Sequence, residues 1–152
     1  MMRTRTFETE VDLAVDPDEA YAFFSAPRNL ADLTPPALRF RFIVEPPPAI
    51  VPGASLWYLL SIRGFPVLWM TRIVSVDPPR GFVDRQIVGP YLRWIHRHSL
   101  DPIAYGTRVR DRIAYAHAGG AFLERRLVRP DLEAIFEFRR TKLLERFGPV
   151  VP

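Results

Sequence analysis

From Thr6 to Val15 apolar and polar residues alternate: Phe7, Thr9, Val11, Leu13 and Val15 fall on one face, Glu8, Glu10 and Asp12 on the other. A period of two predicts a half-buried strand. Asp16-Pro17-Asp18-Glu19 follows as a helix start, with Asp16 placed to cap, Pro17 at the first helical position and Glu19 where a capping box needs it. The helix it opens carries Tyr21, Phe23 and Phe24. Pro27 and Pro35-Pro36 bracket a second short helical segment, Arg28 to Leu33. Six strand candidates rich in β-branched and aromatic residues come next: Leu38 to Glu45, Ala54 to Arg63, Phe65 to Val76, Gly81 to Val88, Leu92 to Asp101 and Thr107 to Tyr115. Pro46-Pro47-Pro48, Gly64, Pro78-Pro79, Gly89-Pro90 and a loop from Asp101 to Gly106 separate them. Connections this short pair neighbours as an antiparallel meander. Several strands reach about ten residues, roughly 33 Å, and strands of that length must twist and curl.

Near the C-terminus the period changes. Leu132, Ile135, Phe136, Arg139, Leu143 and Phe147 recur at three- and four-residue steps, with Glu133, Glu137, Arg140 and Arg146 largely opposite. This predicts one amphipathic helix of about 24 Å. Pro130 either separates it from a turn or two around Phe122 to Val128 or kinks one continuous helix. The plan is α+β: one curved antiparallel sheet of seven strands, two short helices after the first strand, and a long C-terminal helix on one face. A bent sheet and a straight helix cannot mesh everywhere, so a pocket between them is expected.

The 152 residues suit a single domain over 1–152, with no repeats or linkers. Hydrophobic residues at 48% and charged residues at 25% place the chain in the globular class. Cysteine is absent, which excludes disulfides, thiol nucleophiles and thiolate metal ligands. No apolar run is long enough to span a bilayer and no secretion signal follows Met1 to Arg5, so a cytoplasmic protein is expected. The net charge of +4 invites a nucleic-acid partner, but the basic residues are scattered and gather in no stripe. Only Lys142 is lysine, and prolines number 16, which reads as compositional bias. No nucleic-acid partner is expected.

Candidate chemistry concentrates in Asp84-Arg85-Gln86, Gly89-Pro90-Tyr91 and Trp94 to His98. Alternation sets Trp94, His96, His98 and Leu100 on one face and Arg93, Arg97 and Ser99 on the other. Asp111 shares its face with Val109, Ile113 and Tyr115, while Arg108, Arg110 and Arg112 point outward. A turn at Gly89 to Tyr91 brings Asp84 opposite His96 and Gln86 opposite Trp94. Asp84, Gln86, His96, His98 and Asp111 then form a polar island on an apolar face, where each member needs a partner. Three readings apply. The carboxylates and imidazoles satisfy one another and fix register; or they form the polar end of a ligand pocket walled by Trp57, Trp69, Trp94, Ile135 and Phe136, with Arg139 on the same helix; or a histidine, His96 or His98, acts as general base oriented by Asp84 or Asp111.

Two histidines two residues apart on a strand can chelate, but no third histidine joins them and Asp101 is the nearest following acid, so no metal is expected. His117, beside Gly119-Gly120, reads as an exposed loop histidine. No phosphate loop, nucleophile elbow or dinucleotide fingerprint occurs, and no cofactor is expected.

In Asn29-Leu30, Leu33-Thr34-Pro35-Pro36, Phe82-Val83-Asp84-Arg85-Gln86, Gly89-Pro90-Tyr91, Trp94 to His98 and Ile135-Phe136-Glu137-Phe138-Arg139 the chain resembles the SRPBCC superfamily, the START-like and polyketide-cyclase-like helix-grip proteins, over nearly its whole length. The resemblance implies a seven-stranded sheet gripping the C-terminal helix around a cavity used elsewhere for lipids, sterols, polyketides or hormones. The motifs are most similar to a ligand-binding subgroup of that superfamily, and Ala116-His117-Ala118-Gly119-Gly120 departs from the proline-glycine turn that this subgroup often has before the last helix. Carriers, cyclases and regulators share this scaffold, so the resemblance carries the fold and leaves the function open. The expectation is a protein that binds or carries a small hydrophobic molecule, with a cyclase or dehydratase acting on a polyketide-like or aromatic substrate as the alternative. A third class, a regulator docking through Arg93, Arg97, Arg108, Arg110 and Arg112, competes with a plain solvated face. The sequence leaves open whether the chain acts alone or as a homodimer.

Overall fold

The alternating segment forms β1, Arg5–Leu13, at one edge of a sheet that the computed structural model describes over residues 2–152. Asp16 caps α1, Pro17–Phe24, its Oδ1 accepting from the backbone N–H groups of Asp18 at 2.9 Å and Glu19 at 3.1 Å. A single turn, α2, spans Asn29–Asp32. The remaining strands are β2, Arg41–Phe42; β3, Ser55–Ile62; β4, Phe65–Asp77; β5, Gly81–Val88; β6, Arg93–Ile103; and β7, Gly106–Ala116. They pair antiparallel in the order β1-β7-β6-β5-β4-β3-β2, so β7 returns beside β1 and the meander runs outward from it.

Three expectations shift. The strand predicted over Leu38 to Glu45 shrinks to a two-residue β2, because Pro36–Leu38 form a 3-10 turn and Arg39 takes a left-handed backbone with φ 46°. The loop predicted from Asp101 to Gly106 is a tight turn at Ala104 and Tyr105, with Tyr105 at φ 65°. Pro102 fits within β6 because pairing with β5 ends at Ser99, so its missing N–H lies beyond that ladder. The C-terminal helix is continuous with the segment before it: α3, Gly120–Leu123, passes through a π-turn, Glu124–Val128, into α4, Arg129–Phe147. Pro130 sits in the first turn of α4, directly after the π-turn.

The core is divided. Leu143 of α4 packs with Val11, Leu13, Phe23, Leu100 and Val109 near the C-terminal end of that helix. Leu132 and Phe136 pack with Phe7, Ile113 and Tyr115 nearer its start. Both groups fasten α4 over β1 and β7. On the outer face of the same strands Glu8–Arg112, Glu10–Arg110 and Asp12–Arg108 form a ladder of cross-strand ion pairs at 3.0, 3.0 and 2.8 Å, following the register. Three of the five arginines of the proposed regulatory face are thus neutralised within the sheet. Between β4 and β5 the register shifts twice, past Ile87 and past Val74. Such bulges bend the sheet under the middle of the molecule.

Candidate functional site

Where α4 leaves β1 and β7, it spans a cavity of about 590 Å³ against β3 to β6, α2 and the segment around Pro35 to Phe40. Leu56, Tyr58 and Leu60 face it from β3, Trp69, Thr71 and Ile73 from β4, and Phe82 and Asp84 from β5. Trp94, His96 and His98 face it from β6, and Ile135, Phe136 and Arg139 from α4. Trp69 meets Trp94 edge-on at 5.2 Å, stacks on Tyr58 at 6.2 Å and meets Tyr91 at 5.8 Å. The wall is therefore largely aromatic.

The polar end sits on three adjacent strands. Asp84 pairs with His96 across the β5–β6 ladder, and His98 with Asp111 across β6–β7. The side chains bond on the diagonal instead: His98 Nε2 to Asp84 Oδ2 and His96 Nε2 to Asp111 Oδ1, each at 2.7 Å. The two imidazoles stack on each other at 3.7 Å, and His98 stacks on Phe82 at 4.0 Å. Gly81 makes this arrangement possible: at φ 144° its backbone lies against the His98 carbonyl, which a Cβ would strike. Arg139 reaches from α4, donating to Asp111 Oδ1 at 3.4 Å while its guanidinium lies 5.4 Å from the Phe24 ring and 5.8 Å from Phe136.

Electrostatics separate the members. Burial, with His96 alongside, pushes His98 down to about 4 against the pull of Asp84 and Asp111, so its ring is neutral at neutral pH. Its Nε2–H donates to Asp84, and Nδ1 is left buried with no hydrogen-bond partner, as is Arg139 Nε. Burial alone would raise Asp111, but Arg139 and the bond from His96 outweigh it and hold the carboxyl below the usual range. Burial raises the phenols of Tyr58 and Tyr91.

Asp84, His96, His98, Trp69, Trp94, Ile135, Phe136 and Arg139 all lie on the cavity, and Asp111 stands behind His96. Two expected members do not. Trp57 pairs with Met70 and Tyr58 with Trp69, so Trp57 and Trp69 occupy opposite faces, and Leu56 and Tyr58 take the inward positions of β3. Gln86 closes the β5–β6 turn, donating from Nε2 to the Tyr91 carbonyl at 2.7 Å and accepting the Tyr91 N–H at 3.1 Å. The ladder ends at Arg85 opposite Ile95, short of the expected Gln86–Trp94 pair, and Gln86 directs Tyr91 inward. His117 is not an exposed loop residue: its side chain is 6% exposed and Nε2 bonds Glu124 at 2.8 Å, because the π-turn brings Glu124 over the end of β7. Tyr58, Thr71, Phe82 and Tyr91 were missed. Alternation with Leu56 and Leu60 could have found Tyr58.

Asp84, His96 and His98 each bring one ligand atom within 4.8 Å of the others, a grouping with the composition of a two-histidine, one-carboxylate metal site. In the structure each Nε2 is held by a carboxylate at 2.7 Å, that of His98 by Asp84 and that of His96 by Asp111.

Sheet, gripping helix and cavity together make a helix-grip fold. The chain is similar to the Zhui aromatase/cyclase of a Streptomyces species, with TM-score 0.73, 16% identity, and 95% of this chain and 93% of that one covered. A Chromobacterium violaceum protein gives 0.72 at 14%, covering 95% and 97%. A Thalictrum norcoclaurine synthase bound to a transition-state analogue gives 0.68 at 17%, covering 96% and 98%. No protein-family model and no curated protein matches the chain. Among the described residues no helix is long and apolar enough to cross a membrane.

Proposed function

We propose that this protein binds a small, largely apolar molecule with one hydrogen-bonding end in the cavity under α4, and carries it in the cytoplasm. One observation carries the reading: a cavity of about 590 Å³, within the usual size of small-molecule sites, has aromatic and aliphatic walls that converge on a single buried polar cluster. Trp69, Trp94, Ile135 and Phe136 would hold the body. Asp84, His96 and His98 would meet the polar end, with Asp111 and Arg139 fixing their orientation. A neutral fluorescent probe such as N-phenylnaphthylamine should brighten on binding. Ile135→Trp, which fills the cavity from α4, should weaken that binding about tenfold with cooperative unfolding retained; unchanged affinity would mean that the probe sits elsewhere and the reading is wrong.

A cyclase or dehydratase reading has one observation in its favour. His96 borders the cavity with Nε2 bonded to Asp111 at 2.7 Å, which leaves Nδ1 as the ring nitrogen not engaged by a carboxylate. Turnover of a polyketide-like or aromatic substrate that His96→Ala abolishes would establish it.

A further inference from the structure

Asp84 and Asp111 are both buried, at 8% and 4% exposure, but only one of them has a permanent cation. Arg139, the buried guanidinium, pairs with Asp111. Arg63, at the cavity's exposed end, is taken up by Asp131 at 2.8 Å. The sole ionic partner of Asp84 among the described residues is His98, whose ring is neutral in its buried stack. A carboxylate out of water without a counter-charge is costly unless something supplies one. Asp84 also borders the cavity, so a ligand can reach it.

The neighbouring walls act in the same direction. Tyr58, Trp69, Trp94 and Phe82 line the cavity, and aromatic rings of this kind can attract a cation through their negative faces. Thr71 Oγ1 receives Trp69 Nε1–H at 3.1 Å and shares a bond with Tyr58 Oη at 3.2 Å, which engages one of the two hydroxyl hydrogens and leaves the other free. Asp84 is therefore the buried acid of this end that has no permanent cation and stands on the cavity wall.

Building on the small-molecule reading above, we propose that the cavity selects an apolar or aromatic ligand with a protonated amine, for which Asp84 is the counter-ion. The amine supplies the missing positive charge and donates a hydrogen bond to the Asp84 carboxylate. A carboxylate head would meet Asp84 with the wrong sign, and the guanidinium that could attract it, Arg139, is paired through Nη2 with Asp111 and lies near the Phe24 and Phe136 rings, with Nε its unpartnered donor.

The test is displacement of N-phenylnaphthylamine from the full chain at about pH 8, with EDTA present, by naphthylethylamine, naphthylethanol and naphthylacetate. At that pH the amine is protonated and ordinary imidazoles are neutral. The amine should bind about tenfold or more tightly than the alcohol, as expected of a charge-assisted hydrogen bond, and the carboxylate more weakly than the alcohol. In Asp84→Asn the amine-to-alcohol ratio should fall to about one. Equal affinities in the wild-type chain, tightest binding of the carboxylate, or a ratio unmoved in Asp84→Asn would each overturn the proposal. So would an amine preference present only without EDTA, which would make a metal ion the cation. Failure of the neutral probe to bind would refute the cavity reading and this proposal with it, whereas probe binding without a head-group order refutes this proposal alone.

Discussion

Acidification from about pH 7 to pH 5 should remove about 2 kcal/mol of stability through His98 alone. The ring is surrounded by His96 on its own strand, Asp84 from β5, Asp111 from β7 and Phe82 stacked on its face, with Arg139 of α4 beyond Asp111. Burial and His96 lower its pKa to about 4 in the folded chain, against about 6.5 for a free imidazole. Between those values the unfolded chain binds the proton and the folded chain does not, so stability rises with pH across the window and falls on acidification. A full separation of about 2.5 units corresponds to about 3 kcal/mol, of which about 2 kcal/mol appears between pH 7 and 5. Asp111 does not contribute there: its folded pKa is depressed, so its stabilisation is complete above the ordinary aspartate range near 4 and is lost only below it. Urea unfolding at the two pH values, for the wild-type chain and for His98→Gln, isolates the effect. The wild type should lose about 2 kcal/mol more than the variant. Equal losses within about 0.5 kcal/mol, or an NMR titration placing His98 above 6, would refute the reasoning.

Two further outcomes follow from the geometry. Asp111→Ala strands the Arg139 charge between Phe24 and Phe136 and should cost about 3–5 kcal/mol, while adding Arg139→Met should restore part of it; urea unfolding of both variants checks this, and a single-variant loss under about 1 kcal/mol would count against it. Arg63 and Asp131 join the β3–β4 turn to α4 at the exposed end of the cavity through two hydrogen bonds, of 3.2 and 2.8 Å. Asp131→Ala should leave melting nearly unchanged, because the pair is half exposed, yet speed probe release several-fold in stopped-flow; unchanged release would show that ligands leave by another path.

The elements were legible where one period ran unbroken. β1, α1, β5 and α4 follow from alternation, a cap and a three-four step, and the Asp84–His96 register follows from a turn confined to Gly89 to Tyr91. Errors fell where two solutions share a pattern. Trp57 and Tyr58 are adjacent large aromatics in a strand of mostly apolar residues, Ser55–Ile62, so the inward face was settled by pairing with β4, which no local signal carries. Gln86 lay on the correct face but one residue past the end of the ladder, where a side chain that could bond a ligand bonds the turn instead. The diagonal bonding of His96 and His98 was equally hidden: strand register fixes which backbones are opposite, whereas ring rotation decides which carboxylate each nitrogen meets.

The polar cluster lies on the line between the packed and open halves of the molecule, and this gives its two carboxylates different work. On the β1–β7 side α4 is fastened by Leu132, Phe136 and Leu143, and the space is filled. On the β3–β5 side the bulges at Val74 and Ile87 bend the sheet away from a helix that does not follow, and the cavity remains. Asp111, on β7, belongs to the filled side and has its cation there, so its removal should be read out as lost stability. Asp84, on β5, belongs to the open side and has only a neutral partner, which is why the proposal above makes it the counter-ion of an entering ammonium. His96 and His98, on β6 between them, link the two through their diagonal bonds.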